Sequence, residues 1–424
     1  MIYSHGVDLQ SKKRKVLILS DHALSPSGVG NQTRHLVNGL IQKGGWTFRQ
    51  FGAAIKHADY RTVVVNEDFI IKPIDGFGNR QLLREALATE RPDALLIFTD
   101  PRFFTWLFEM EDEVHQICPI AWWHVWDNHP VPVFNSSMYE GTDLINCHSY
   151  LTYEMCKSLY PEKTNFVPHS LPPGMFYPMS EHDKLKNKIL LLGHERQDHF
   201  VGLWINRNAR RKRPSDVIWS WKLFLDQLEA KHGHRKATLV MHTDPHDQEG
   251  PNLVEVSKML NVKDNVLFSN QRVEFEKMNV IHNVSDFCIN ISYAEGFGLS
   301  TLEAMNVGNP IVAVKTGGLT RQVVNAYTGE ENGVALPVSL KTLVGSQGVP
   351  YIYEDYASVE SASDAMMKLF EIGKEGRKKL GAKAREYALS EFGYQKVIDE
   401  WDRTLGNLIE TWKENRKNFE VNEL

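Results

Sequence analysis

The sequence predicts an α/β protein of two doubly wound halves, each a parallel sheet covered by helices on both faces. Three observations predict it. Short apolar runs alternate with helix-length amphipathic segments along most of the chain. The alternation stops in the proline-rich stretch from Pro168 to Pro178 and then restarts. The 424 residues, with 42% hydrophobic and 24% charged content, suit a globular chain of two or three domains, two being the simplest count.

In the first half, Val16–Leu19 reads as the opening strand. The helix Asn31–Lys43 follows, with Leu36, Val37, Leu40 and Ile41 at helical spacing. Ala94–Phe98, Ile117–His124, Leu144–Cys147 and Asn165–Val167 are further strands, and Tyr150–Leu159 is a helix between the last two. The prolines at 168–178 mark the domain boundary, and a polar helix, Glu181–Leu192, opens the second half. There the strands are His199–Ile205, Ala237–Met241, Asn265–Phe268, Phe287–Ile291 and Ile311–Val314. The helices are Pro214–His232, Asn252–Leu260, Val273–His282 and Leu299–Val307. Ser339–Tyr356 reads as irregular, and three helices finish the chain at Val359–Ile372, Gly376–Glu391 and Tyr394–Lys417. The expected division is 1–178, 179–392 and a tail at 393–424 whose amphipathic helix straps the halves together. Two Rossmann-like domains in tandem leave a cleft, and ligands bind in such sheets beyond the carboxyl ends of the strands.

The most informative segment runs from Asn290 to Met305. It leaves a strand, turns at Gly296 and Gly298, and enters a helix. The first amides of that helix lack internal partners and carry the positive end of its dipole, so a phosphate or diphosphate is the natural ligand. Two carboxylates, Glu295 and Glu303, frame the turn. Beside a phosphate they are unfavourable unless they bind something else, and vicinal hydroxyls are the sensible partners. Singly, each is an ordinary acid near a helix start; together with two glycines and the strand–turn–helix context they indicate a ribose and a sugar.

With the E-x7-E spacing of Glu295 and Glu303, the run Gly308-Asn309-Pro310-Ile311-Val312-Ala313 and then Gly317-Gly318-Leu319, the chain resembles retaining glycosyltransferases of the GT-B fold, specifically glycosyltransferase family 4. The resemblance implies that Glu303 binds the ribose of a nucleotide-sugar donor and that Glu295 contacts the donor sugar. It also implies that the amides at Phe297, Gly298 and Leu299 hold the sugar or diphosphate. Arg321 stands where the family usually carries an acid, and Ser170 where a glycine commonly follows His169.

Five cations lie in Arg207-Asn208-Ala209-Arg210-Arg211-Lys212-Arg213, just after a strand. Such a run is an anion clamp, a solvated loop or a contact for a nucleic-acid backbone. By resemblance, Arg207 and Lys212 neutralise the leaving diphosphate, with Arg211 the alternative. Gly28 and Gly30 follow the first strand, where the family has a glycine-rich loop, although the usual adjacent Gly-Gly is absent. Trp122-Trp123-His124-Val125-Trp126-Asp127 ends another strand. Aromatic faces with polar tips suit a sugar site as well as a core, and the resemblance assigns His124 to the donor sugar, with Asp127 orienting it or binding acceptor. His242-Thr243-Asp244-Pro245-His246-Asp247 is either a metal cluster or, more simply, a polar turn on the nucleotide side.

The implied activity is transfer of a hexose or pentose from a nucleoside-diphosphate sugar to an acceptor hydroxyl with retention, the leaving phosphate taking the acceptor proton. No Asp-x-Asp motif lies near the donor site, so neither a metal nor a resident cofactor is expected. Saccharide, small-molecule, lipid-linked and DNA acceptors stay open, as does oligomeric state. The basic segments Lys12–Lys15 and Arg207–Arg213 admit glycosylation of modified DNA bases, but the net charge of −5 weakens it. A non-catalytic nucleotide-sugar-binding module is the alternative from another class, and phosphorylases and epimerases fit less well. The four cysteines form no C-x-x-C pair, and no apolar run approaches a membrane span. A cytoplasmic protein with reduced thiols is expected.

Overall fold

The structure, a computed structural model, describes residues 12–54, 56–270 and 273–415. The first sheet is built from β1 (Arg14–Asp21), β2 (Trp46–Ala53), β3 (Val63–Asn66), β4 (Phe69–Pro73), β5 (Ala94–Thr99), β6 (Ile120–His124), β7 (Leu144–Cys147) and β8 (Thr164–Phe166). Helices α1 (Gly28–Lys43), α2 (Arg80–Glu90) and α3 (Tyr150–Leu159) connect them. The strand order is β3-β4-β2-β1-β5-β6-β7-β8, parallel except where β3 meets β4.

The second half begins with α4 (Glu181–Leu192). Its sheet contains β9 (Phe200–Ile205), β10 (Ala237–His242), β11 (Val266–Ser269), β12 (Phe287–Asn290), β13 (Ile311–Val314) and β14 (Gly333–Leu336). Between them run α5 (Pro214–His232), α6 (Leu253–Met259), α7 (Phe275–Asn283), α8 (Leu299–Asn306) and α9 (Leu319–Val323). The order is β11-β10-β9-β12-β13-β14, all parallel. A hairpin of β15 (Leu340–Val344) and β16 (Ile352–Tyr356) follows, then α10 (Val359–Glu371), α11 (Gly373–Glu391) and α12 (Tyr394–Asn415). The fold is the two-domain α/β GT-B architecture.

Period-two alternation builds the first core. Val16 and Ile18 of β1 bury into one face of the sheet, Leu17 and Leu19 into the other. α12 crosses back onto the first of these faces. Its Val397, Ile398, Trp401, Leu405 and Ile409 join that core, and the Trp46 indole N–H donates to Asp402 at 2.8 Å. The end predicted for this helix, Lys417, lies outside the described residues. Strand order reverses beside β1 in one sheet and beside β9 in the other, so the loops after these two strands occupy the switch points where ligands bind.

Besides α2, α9 and β14, which carried no assignment, two longer segments differ from the sequence reading. Residues 46–73 hold three strands that carried no assignment. Polar Gln50 interrupts the apolar run of β2, yet it is buried: it donates to Ser20 Oγ and Asp21 O and accepts from Ala23 N, which shapes the loop after β1. Ser339–Tyr356, expected to be irregular, is an antiparallel hairpin with Leu340 opposite Tyr356 and Val344 opposite Ile352. It escapes a reading by burial pattern because Leu340 and Leu343 on β15 are exposed.

Candidate active site

A cavity of about 980 Å³ lies between the carboxyl edges of the two sheets. On the second-domain side, β12 delivers the chain into the turn 291–298. Gly298 has φ +91°, a left-handed conformation that favours glycine, and its position caps α8. Gln322 of α9 holds the turn: its amide donates to Phe297 O at 2.7 Å, and its oxygen accepts from Thr301 Oγ1 at 2.6 Å. The amides at the start of α8 thereby open toward the cavity, whose lining includes Phe297, Gly298 and Leu299. Behind the turn, a methyl group on Gly317 would sit 2.1 Å from Glu295 O and 2.6 Å from Asp127 O. No side chain fits there, which accounts for the Gly-Gly pair.

Glu295 is buried. Its Oε2 accepts from the Lys212 ammonium in a close ion pair and sits 3.3 Å from Asn290 Nδ2 and 3.4 Å from Ser292 Oγ. Burial pushes its carboxyl up, but Lys212 and Arg211 more than reverse that, leaving it at about 2. Burial lowers the Lys212 ammonium from its ordinary value, with Glu295 opposing the shift. Glu295 is therefore an anion at neutral pH, an acceptor of hydrogen bonds and not a proton donor. Glu303, one turn into α8, accepts from His282 Nε2 at 3.0 Å and lines the same cavity.

The basic run divides. Arg207, Arg211 and Lys212 line the cavity. Arg210 turns to Tyr293 Oη (3.2 Å) and Glu354 (3.5 Å), and Arg213 to Asp216 and Ala357 O. Arg207 is held by Asp247 at 2.8 and 3.2 Å, and Arg211 lies 3.7 Å from Asp127. His242 also lines the cavity, with Nδ1 3.0 Å from Ser269 Oγ. Among the described residues no three His, Cys, Asp or Glu side chains gather closely enough to hold a metal ion.

On the first-domain side, Gly28 lines the cavity, and a methyl group on it would lie 3.1 Å from Leu299 Cδ1 across the cleft. Gly30 is not part of the lining. It sits inside the first turn of α1, where its N–H donates to Ser27 Oγ and a methyl group would meet Ser25 Oγ at 2.5 Å. Asp127 reaches the cavity, but His124 does not. Its ring is fully buried against Trp122, with Nε2 2.8 Å from Tyr139 Oη. The alternation of β6 sends this side chain to the core face.

His148, just after β7, faces the cavity instead, an arrangement that sequence reading missed. Its Nδ1 donates to His124 O at 2.9 Å, because a carbonyl can only accept. Nε2 is then left as a bare acceptor, 2.7 Å from where a methyl group on Gly296 would stand. Burial pushes the imidazole down to about 3, so it stays neutral. His169 packs beside it, ring centroids 5.0 Å apart, and also lines the cavity. The available signal was a lone His at a strand end before the N-cap residue Ser149, which composition alone does not single out.

This geometry coincides with a family match. Residues 194–387 fit the family model for glycosyl transferases group 1. The matched segment, just under half of the chain, is similar to that family. Over 198 residues it is 23% identical to N-acetyl-alpha-D-glucosaminyl L-malate synthase of Bacillus anthracis; the match covers 47% of this chain and 43% of that protein, so it spans less than half of this curated relative. Sucrose-phosphate synthase from Thermosynechococcus elongatus superposes with a TM-score of 0.72 at 15% identity, covering 94% of this chain and all of that one. Anabaena HepE in complex with UDP and glucose superposes at 0.67 and 14% identity, over 93% of this chain and all of that one. The matched segment holds Glu295, Glu303 and the basic run, whereas His148 and Asp127 lie outside it. None of the described helices is long and apolar enough to cross a membrane.

Proposed function

We propose that the chain is a retaining glycosyltransferase that uses a nucleoside-diphosphate sugar and needs no metal. The observation that carries this reading is the convergence, on one cavity, of the α8 amides, the cations Arg207, Arg211 and Lys212, and two carboxylates spaced for hydroxyls. The diphosphate lies against the start of α8 and the cations. Glu303 takes the ribose hydroxyls, and ionised Glu295 accepts from the sugar. His148 Nε2 accepts from another sugar hydroxyl. Arg207 exchanges Asp247 for phosphate, an inexpensive step because an exposed ion pair is worth only about 0–1 kcal/mol.

The chemistry follows from these placements. Fixed positive charge stabilises the diphosphate as it departs, and a preorganised site needs little reorganisation to do so. Lys212 and Arg211 hold Glu295 at about 2, which makes it a weak base, so the proton of the attacking acceptor hydroxyl passes to the leaving phosphate. The cavity lies between two domains, so their closure would exclude water.

HepE was captured with UDP and glucose, so UDP-hexoses are the first donors to try. Incubation of the purified chain with each, followed by proton NMR of the anomeric signal, tests the proposal. Release of nucleotide with an axial product from an axial donor supports it. An equatorial product overturns retention, and no nucleotide-dependent stabilisation with any of UDP, GDP, ADP, TDP or CDP overturns the donor site.

A further inference from the structure

The hairpin β15–β16 belongs by chain order to the second domain, yet it grips the first. Tyr353 N–H donates to His129 O at 2.7 Å, and Asn128 Nδ2 donates back to Tyr353 O at 3.0 Å. The Tyr351 ring stands edge-on to Phe134 of the first domain, with centroids 4.9 Å apart. At the base of this contact sits Asp355, 4% exposed. Its Oδ2 accepts from Asn128 Nδ2 at 3.0 Å and from Thr316 Oγ1 at 2.8 Å, and its Oδ1 lies 3.4 Å from the Lys341 ammonium. Its backbone N–H donates to Tyr293 O at 2.8 Å.

One buried residue thus touches three segments that shape the cavity. Thr316 precedes the Gly317-Gly318 turn, which packs against Glu295 O and Asp127 O. Tyr293 lies two residues before Glu295. Asn128, 1% exposed, follows Asp127, whose Oδ1 is 2.9 Å from where a methyl group on Gly296 would stand and whose Oδ2 is 3.7 Å from Arg211. The contact is directional: an acceptor-only carboxylate meets an amide donor, and Asn128 Oδ1 is used by His129 N–H at 2.8 Å. A pair that fits in only one sense sets the loop's orientation.

We infer that Asp355 is a positioning residue: by holding Asn128 it fixes Asp127 beside Arg211 and Gly296, so that a hairpin of the donor domain sets the first-domain wall of the site. The kinetic part rests on the glycosyltransferase reading; the structural part does not. Asn128→Asp sets two buried carboxylates face to face, which repel. Adding Asp355→Asn to that variant restores one donor opposite one acceptor at this contact, while Tyr353 O stays without the donor it has in wild type.

Three readings are made on wild type, Asn128→Asp and the double variant. Nucleotide-dependent thermal stabilisation stays as in wild type in both. Transfer kcat falls about tenfold to a hundredfold in Asn128→Asp, the scale of a small misplacement of reacting groups, and the double variant regains most of it. Hydrogen exchange of residues 125–134 quickens in Asn128→Asp and slows again in the double variant, while exchange of 299–306 is unchanged. Unchanged exchange at 125–134 overturns the inference, and so does a loss of kcat that the double variant does not recover. If wild type shows neither stabilisation by nucleotide nor transfer, the glycosyltransferase reading fails, and the exchange measurement alone decides whether the hairpin holds the loop.

Discussion

The two walls of the cleft are built on opposite electrostatic principles. The second-domain wall carries fixed charge: Glu295 locked to Lys212, Arg211 beside them, Arg207 on Asp247 and Glu303 on His282. Much of the first-domain wall is neutral, with His148 and His169 kept uncharged by burial and packed against the Phe297 ring. Asp127 is the exception, and it faces Arg211 across the gap. Under the proposed reading the second domain carries both the charge neutralisation and most of the hydroxyl recognition, and the first adds a neutral acceptor at His148. Neither half is a complete site, so activity requires their apposition.

The largest test of that contrast removes half of the buried pair. Lys212→Ala strands Glu295 as an unpaired buried anion, a class of change that costs about 3–5 kcal/mol. Thermal unfolding should show that loss. Lys212→Met together with Glu295→Gln should restore stability but not activity, with kcat at least about a hundredfold down. Recovery of both would show that the pair only maintains the fold.

Next comes Glu303→Ala, which removes the proposed ribose acceptor. Hydrogen bonds to a charged group are worth about 1.5–3 kcal/mol each, so donor KM should rise roughly tenfold to a hundredfold with kcat less affected. Calorimetric titration of the nucleoside diphosphate checks this, and equal affinities in variant and wild type would move the nucleotide elsewhere.

A sharper comparison sets the two histidines against each other. His148→Gln should lower kcat about tenfold or more with little loss of stability. His124→Gln should do the reverse, because its ring packs in the core and does not reach the cavity. The opposite outcome would restore His124 as the donor contact.

Stability should also depend on pH. His148 sits near 3 in the folded protein against an ordinary 6.5, so between those values the unfolded chain binds a proton that the folded one does not. His169, also lowered, acts in the same sense. Stability is full above about 6.5 and declines as pH falls toward 3. Glu295, near 2 when folded against 4.5, adds a loss below 4.5. Melting temperatures from pH 7.5 to 4.5 should fall steadily, and less steeply in His148→Gln; equal slopes would indicate that the ring is already protonated in the fold.

The contrast between the walls also governs what could be read without coordinates. The donor turn was legible because its chemistry is local: Glu295, Gly296, Gly298 and Glu303 follow one another through a strand, a turn and a helix. For the basic run, the resemblance singled out Arg207 and Lys212 with Arg211 as the alternative, and these three line the cavity, whereas the fold of residues 207–213 sends Arg210 and Arg213 to Tyr293 and Ala357, far along the chain. The resemblance assigned His124 to the donor sugar, but strand alternation put it on the core face.

The sequence by itself determined the strand–helix alternation, the parallel sheets and the glycine turn that leads into α8. Each follows from periodicity or from residues within a few positions of one another, where backbone geometry leaves few choices. Only the tertiary structure decided that His148 and not His124 meets the cavity, that Gln322 braces the turn and that Asp355 holds Asn128. Those contacts join residues 21 to 227 positions apart and no local pattern encodes them: the Gln322 brace needs the second domain folded, and the Asp355–Asn128 contact needs the two domains side by side.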